Sequence, residues 1–288
     1  MPSVVLAGLL IWAVALVFLP APLAARILLL APLVIVPRLL ALLPDRRWVA
    51  RTAGWPAVVA ASPLLAAFAL PPGLPAALLV VPWLALAIGG AIAAIIHGLA
   101  RLPSILRPRD WADLGVDVAL GFWAVGAIFT FIDRLGVDTG FAPAIVLLTA
   151  THFHFAGFAL LGLASLLARP RRWLRASVVG LAVGIPLTAL GFVLVSDAIS
   201  AVGAVVVGLS GIGVGIGVLT VAASGMSRVA TRAAGAALLV GMPMGIAWSM
   251  AILGGATFLD LDAMVRTHGV LNAMAILLGV GSYRSDAS

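Results

Sequence analysis

From Gly140 to Ala168 the chain carries no Asp, Glu, Lys or Arg, yet two imidazoles, His152 and His154, sit near the middle of that run. The run exceeds the roughly 20 residues needed to cross a bilayer core, so it reads as a membrane span rather than a soluble core helix. Ionisable side chains at such depth are costly and by default mark a functional site. On a helix, residues i and i+2 point about 200° apart, so His152 and His154 face different neighbours. One helix can then serve two sites, or stand between two groups of helices.

The remainder of the chain repeats this apolar pattern. Ten segments can be drawn, near residues 3–19, 26–43, 55–70, 76–98, 113–132, 140–168, 176–195, 199–221, 233–253 and 262–282. Pro20-Ala21-Pro22, Pro71-Pro72-Gly73 and the stretch from Pro103 to Pro108 interrupt helix by lost donors and steric clash. With 64% hydrophobic and 9% charged residues, 288 residues hold too little polar surface for a soluble protein. The expected fold is all-α, a single polytopic transmembrane helix-bundle domain over residues 1–288 with about ten spans. No cationic n-region precedes the first segment, which therefore reads as a span rather than a cleaved signal peptide. Cysteine is absent, which excludes disulfides, iron–sulfur clusters and thiolate ligation.

The net charge of +7 has a topological reading. All 17 cationic residues are Arg and all 10 anionic residues are Asp. Lacking Lys and rich in Ala, Arg, Gly and Val, the composition points to a GC-rich bacterial genome. Arg46, Arg47 and Arg51, then Arg101, Arg107 and Arg109, then Arg169, Arg171, Arg172 and Arg175, then Arg228 and Arg232, and finally Arg284 occupy alternate loops and the tail. The loops between them hold only Arg134, with Arg26 bordering the first. The positive-inside rule assigns the arginine-rich side and both termini to the cytoplasm, which implies a bacterial cytoplasmic membrane. No basic arm or aromatic interleaving accompanies these arginines, so the partner is the lipid bilayer and not nucleic acid.

Several features have structural readings. Gly208, Gly211, Gly213, Gly215 and Gly217 lack the strand and the phosphate-binding residues of a nucleotide loop, and read as close helix packing. Trp48, Trp55, Trp111 and Trp173 lie at span ends, as interfacial anchors do. Prolines within spans, Pro82, Pro186 and Pro243 among them, read as helix kinks.

Few polar groups remain at depth. Arg38 and Asp117 are isolated charges at similar depth in the cytoplasmic half, and at roughly 2.5–3.5 kcal/mol each they are expected to pair. His97 ends its span near the cytoplasmic interface, facing headgroups or water. In the last span His268 and Asn272 are four apart and share one face. His152, His154, His268 and Asn272 are thus the candidate ligand-binding or metal-ligating set, on helices entering from the same outer side. Thr149 and Asn272 are candidate acceptors for an imidazole's second N–H. Asp133, Asp138 and Arg266 border the same end and can meet charged groups of a small ligand.

Two motifs carry a resemblance. Thr151-His152-Phe153-His154-Phe155-Ala156-Gly157-Phe158 and His268-Gly269-x-x-Asn272-Ala273 resemble the paired signatures of the YndJ-like bacterial membrane proteins. That resemblance implies a multi-pass membrane protein and supplies no mechanism. His-Phe-His-Phe is also similar to the helix of haem–copper oxidases whose two histidines each ligate a haem, and Thr267-His268-Gly269 to the helix supplying the opposing histidine. Here the motif order is reversed and the copper-binding His-His pair is missing, so ligand geometry alone is carried over.

Four functions are then open. Imidazoles at these positions suit haem or a transition metal. The same groups can line the cavity of a small-solute or proton-coupled transporter. They can serve an intramembrane enzyme acting on a lipid-soluble substrate, or they can simply hydrogen-bond helices together.

Reporter fusions after Arg51, Arg109, Arg175 and Arg232 should read cytoplasmic, and those after Gly73, Asp138 and Asp197 external. A cytoplasmic signal at Asp138 would reject both the ten-span topology and the outer placement of the histidines.

Overall fold

Backbone amides in hydrocarbon must bond within their own segment, and the Ala-, Leu- and Val-rich runs do so as helices. The computed structural model describes residues 2–43, 47–101, 111–221, 224–256 and 258–283. Arg46, Arg107, Arg109, Arg284 and the Pro103 to Pro108 break fall outside the described residues. The main helices are α1 (Ser3–Phe18), α2 (Leu23–Leu42), α3 (Trp55–Ala69), α4 (Leu74–Ala100), α5 (Trp111–Leu135), α6 (Pro143–Ala168), α7 (Arg172–Val193), α8 (Asp197–Leu219), α9 (Gly225–Leu253) and α10 (Leu261–Ser282). They coincide with the ten expected segments. Eight are long and apolar enough to cross a membrane, while α1 and α3 are shorter apolar helices. A further short helix, Arg47–Thr52, precedes α3, and no strand occurs among the described residues.

Polar side chains close several helix ends. Ser196 and Asp260 accept from the N–H groups of Ile199 and Ala263, capping α8 and α10. Arg26 donates to the carbonyls of Leu16 and Ala21 at 2.9 and 2.8 Å, covering acceptors that the end of α1 leaves open. Arg134 reaches toward the carbonyls of Ala67 and Leu70 and lies 4.7 Å over the Phe68 ring, closing the end of α3.

The chain divides into two compact units, Met1–Pro103 with Asp117–Ala159 and Ser285–Ser288, and Ser104–Val116 with Leu160–Arg284. In the first, α2 is the most enclosed helix, with 83% of its apolar window buried. Pro32 and Pro37 each remove a donor from it, and Ala31–Ile35 widens to a π-turn there. Gly8 of α1 packs on that turn, where a Cβ would collide with the carbonyl of Leu33.

The second unit is assembled through small residues. On α8, Gly208, Gly211 and Gly215 meet Ile246, Met242 and Leu238 of α9, while Gly203, Gly213 and Gly217 meet Thr188, Ser177 and Leu174 of α7. The glycines read as close packing therefore serve two faces, Gly208, Gly211 and Gly215 on one and Gly213 and Gly217 on the other, the latter joined by Gly203. Lipid offers no hydrophobic drive between spans, so such close approach supplies the packing that holds them.

Gly203→Ala tests this directly, because a Cβ there would meet the Thr188 backbone, with Cα at 2.8 Å. Ala is the better helix former by about 1 kcal/mol. Overpacking should outweigh that gain and leave the variant about 1–3 kcal/mol less stable in detergent. Gly281→Ala, where a Cβ meets nothing within 4 Å, should be neutral or stabilising. Equal shifts for the two would refute the close α7–α8 contact.

Candidate functional site

The histidine-rich stretch sits where α6 changes its winding. Regular helix runs from Pro143 to His152, and Phe153–Leu160 is a π-helix. His154, on this π-turn, is fully buried in the first unit. Trp83 Nε1 donates to His154 Nε2 at 3.1 Å, and His154 Nδ1 lies 2.8 Å from the Ala150 carbonyl. An indole N–H only donates and a carbonyl only accepts. His154 is therefore neutral, protonated on Nδ1, with both nitrogens engaged. Its ring stacks on Trp83 at 6.0 Å, Trp83 meets Trp123 edge-on at 5.1 Å, and Trp123 packs on Phe158 at 5.4 Å. Glycine makes the room: a Cβ on Gly126 would lie 2.6 Å from His154 Nδ1.

His152 faces elsewhere, as the i, i+2 spacing requires. Its Nδ1 donates to the Leu148 carbonyl at 2.8 Å, and the side chain is exposed. In the neutral ring this leaves the Nε2 lone pair available, with no partner among the described residues. The position is roughly 14 Å along α6 at about 1.5 Å per residue.

The second motif lies in the second unit, so each motif is built within its own unit. Val265–Gly269 is again a π-turn, and it carries His268. His268 Nδ1 donates to the Gly241 carbonyl of α9 at 2.8 Å, and Asn272 Nδ2 donates to the His268 carbonyl at 2.8 Å. With Nδ1 protonated toward Gly241, the 3.1 Å approach of Asn272 Nδ2 is a contact rather than a second bond. Asn272 Oδ1 is buried without a hydrogen-bond partner among the described residues. Here too glycines admit the polar groups. A Cβ on Gly241 would lie 2.7 Å from Asn272 Oδ1, and one on Gly245 would lie 2.8 Å from His268 Cε1.

The supporting residues have partners of their own. Thr149 Oγ1 donates to Ile145 O at 2.8 Å within its own helix, not to an imidazole. Asp133 is buried and bonds Arg134 Nε at 2.8 Å. Arg266 pairs with Asp262 at 2.7 Å on the surface, a screened i, i+4 contact. Asp138 accepts from the Gly140 N–H at 2.9 Å. Asp117, expected beside Arg38, also lies 2.9 Å from His97 Nδ1. His97 is thus a carboxylate partner as well as a partly exposed interfacial residue. Arg38 lines a separate cavity on α2.

A sequence profile described as YndJ-like protein matches residues 26–276, which include both histidine motifs. The chain belongs to the YndJ-like family. No curated protein and no solved structure matches it. This YndJ-like chain is an apolar helical bundle with π-turns at its two histidine motifs, and π-turns often occur at functional sites.

Trp83 is the residue that sequence reasoning missed. Unlike Trp55, Trp111 and Trp173, which lie at helix ends and are exposed, Trp83 and Trp123 lie deep within their spans. Depth within the span was the available signal; the Trp83 N–H finds its acceptor in His154, whereas the Trp123 N–H has none among the described residues. Trp48 also packs 6.5 Å from Trp123 and is half-buried.

Trp83→Phe and His154→Leu should each cost about 1–3 kcal/mol, because each leaves a buried polar atom without its partner. The double variant should lose clearly less than the sum. Additive losses in reversible unfolding would show that the two residues do not interact.

Proposed function

We propose that this YndJ-like protein binds a metal-containing ligand of the haem type in the membrane through the imidazole of His152. The observation that carries this reading is the ring's preset state. Its Nδ1–H is held by the Leu148 carbonyl, and its Nε2, on an exposed side chain, has no partner among the described residues. Ligating histidines characteristically have their second N–H fixed by a carbonyl or carboxylate in this way. Among the described residues no group of three or more His, Cys, Asp or Glu gathers. That donor set suits a ligand carrying its own equatorial donors better than a bare ion. His154 supports the site by locking the π-turn to Trp83. In this reading His152 and His154 serve different ends, one ligating and one structural. The bacterial cytoplasmic membrane, with both termini inside, is the location the arginine alternation supports.

A small-solute or proton-coupled carrier is the second reading, and Asn272 favours it. Its buried Oδ1 lacks a donor among the described residues, and beside His268 it can accept one from a solute or proton carrier.

Protein purified from cells supplied with iron should show a Soret band that shifts on reduction. His152→Ala should abolish it, and His97→Ala should leave it unchanged. A colourless, metal-free and well-folded preparation overturns the haem reading in favour of the carrier. In that case His268→Ala and Asn272→Leu should abolish uptake into vesicles while folding is retained.

A further inference from the structure

Within the first unit, α1, the end of α2 and the start of α3 line a cavity of about 300 Å³. Its walls include Ser3 and Val5 of α1, Pro37 and Arg38 of α2, and Gly54 and Trp55 at the start of α3. The volume is at the lower end of ordinary ligand sites. The chemistry is unusual for a membrane-embedded helix, with one guanidinium and one hydroxyl among largely apolar side chains. Arg38 is only partly buried. A guanidinium carries five N–H donors in a planar fork that matches phosphate oxygens, so it can hold a phosphate while keeping another partner.

Which phosphate it would hold follows from α1. Ser3, Leu6, Leu10 and Val14 are spaced three, four and four residues apart, so they share one helix face. Ser3 borders the cavity, and Leu6, Leu10 and Val14 are 58%, 60% and 60% exposed. A strip of apolar side chains therefore leads from the cavity along the outside of the span. Trp55, 51% exposed, also lines the cavity, and aromatic residues are enriched at headgroup level. Arg51, exposed three residues before Gly54, adds positive charge. The arginine-rich loops lie on this side, which the positive-inside rule gives to the leaflet rich in anionic lipid.

We propose that this cavity seats the headgroup of an anionic phospholipid, with its phosphate on Arg38 and Ser3 and an acyl chain along Leu6, Leu10 and Val14. This site is separate from His152 and does not depend on the haem reading.

The full chain, purified in detergent, can be titrated with phosphatidylglycerol, phosphatidylcholine or inorganic phosphate while bound lipid is counted by native mass spectrometry. Phosphatidylglycerol should be retained and should raise the melting temperature, whereas phosphatidylcholine and inorganic phosphate should do neither. Arg38→Gln should weaken retention about fivefold, the effect expected of about one basic residue at an anionic surface. Ala53→Leu, which fills the cavity wall without touching the charge, should also weaken it and decides the matter if Arg38→Gln does not fold. Three results would each overturn the proposal: equal retention by wild type and Ala53→Leu, equal retention of the two lipids, or equal protection by inorganic phosphate alone.

Discussion

Every backbone amide and carbonyl placed in hydrocarbon must find its partner inside the protein, and this requirement governs the whole chain. It makes each apolar run a helix and leaves the exceptions visible. Where prolines or π-turns remove regular bonds, neighbouring groups approach closely. Gly8 packs on the π-turn of α2. Arg26 and Arg134 reach carbonyls at helix ends. The polar side chains that remain are accordingly few and nearly all accounted for.

Between helices the operative quantity is distance rather than hydrophobicity. In the second unit, glycines on α8 bring α7 and α9 close enough that a Cβ would collide with Thr188, Met242 or Leu238. On α9, Gly241 and Gly245 do the same for Asn272 and His268. Glycine thus has two uses with one geometry. It packs helix on helix, and it makes space for a polar side chain to reach a carbonyl across the contact. Gly126 makes room for the His154 ring, whose carbonyl partner, Ala150, lies on its own helix.

The two histidines of the first motif show how one residue of spacing separates tasks. His154 is turned inward, where an indole donor and a backbone carbonyl occupy its two nitrogens. His152 is exposed, with one nitrogen tied to Leu148 and the other without a partner among the described residues. Tautomer and orientation are fixed in both cases by backbone carbonyls four residues earlier. Preorganisation of this kind belongs equally to a ligand and to a structural bond, and the neighbours decide between them.

The sequence by itself determined the class, the segment boundaries and the positions of the polar groups at depth. Hydrophobic run length and proline breaks are local properties, so the ten segments matched ten helices closely. The family resemblance was also read from the sequence, and the match over residues 26–276 shows it. Packing of Gly208, Gly211, Gly213, Gly215 and Gly217 was also legible, because small residues in a span have few other uses. Partner choice was not. That Trp83 meets His154 and that His97 meets Asp117 are decided by how helices lie against one another. Those choices depend on contacts between residues up to 71 positions apart, and on π-turns that rotate a side chain without leaving a mark in composition. Periodicity says which face a residue occupies, and only tertiary packing says what stands opposite it.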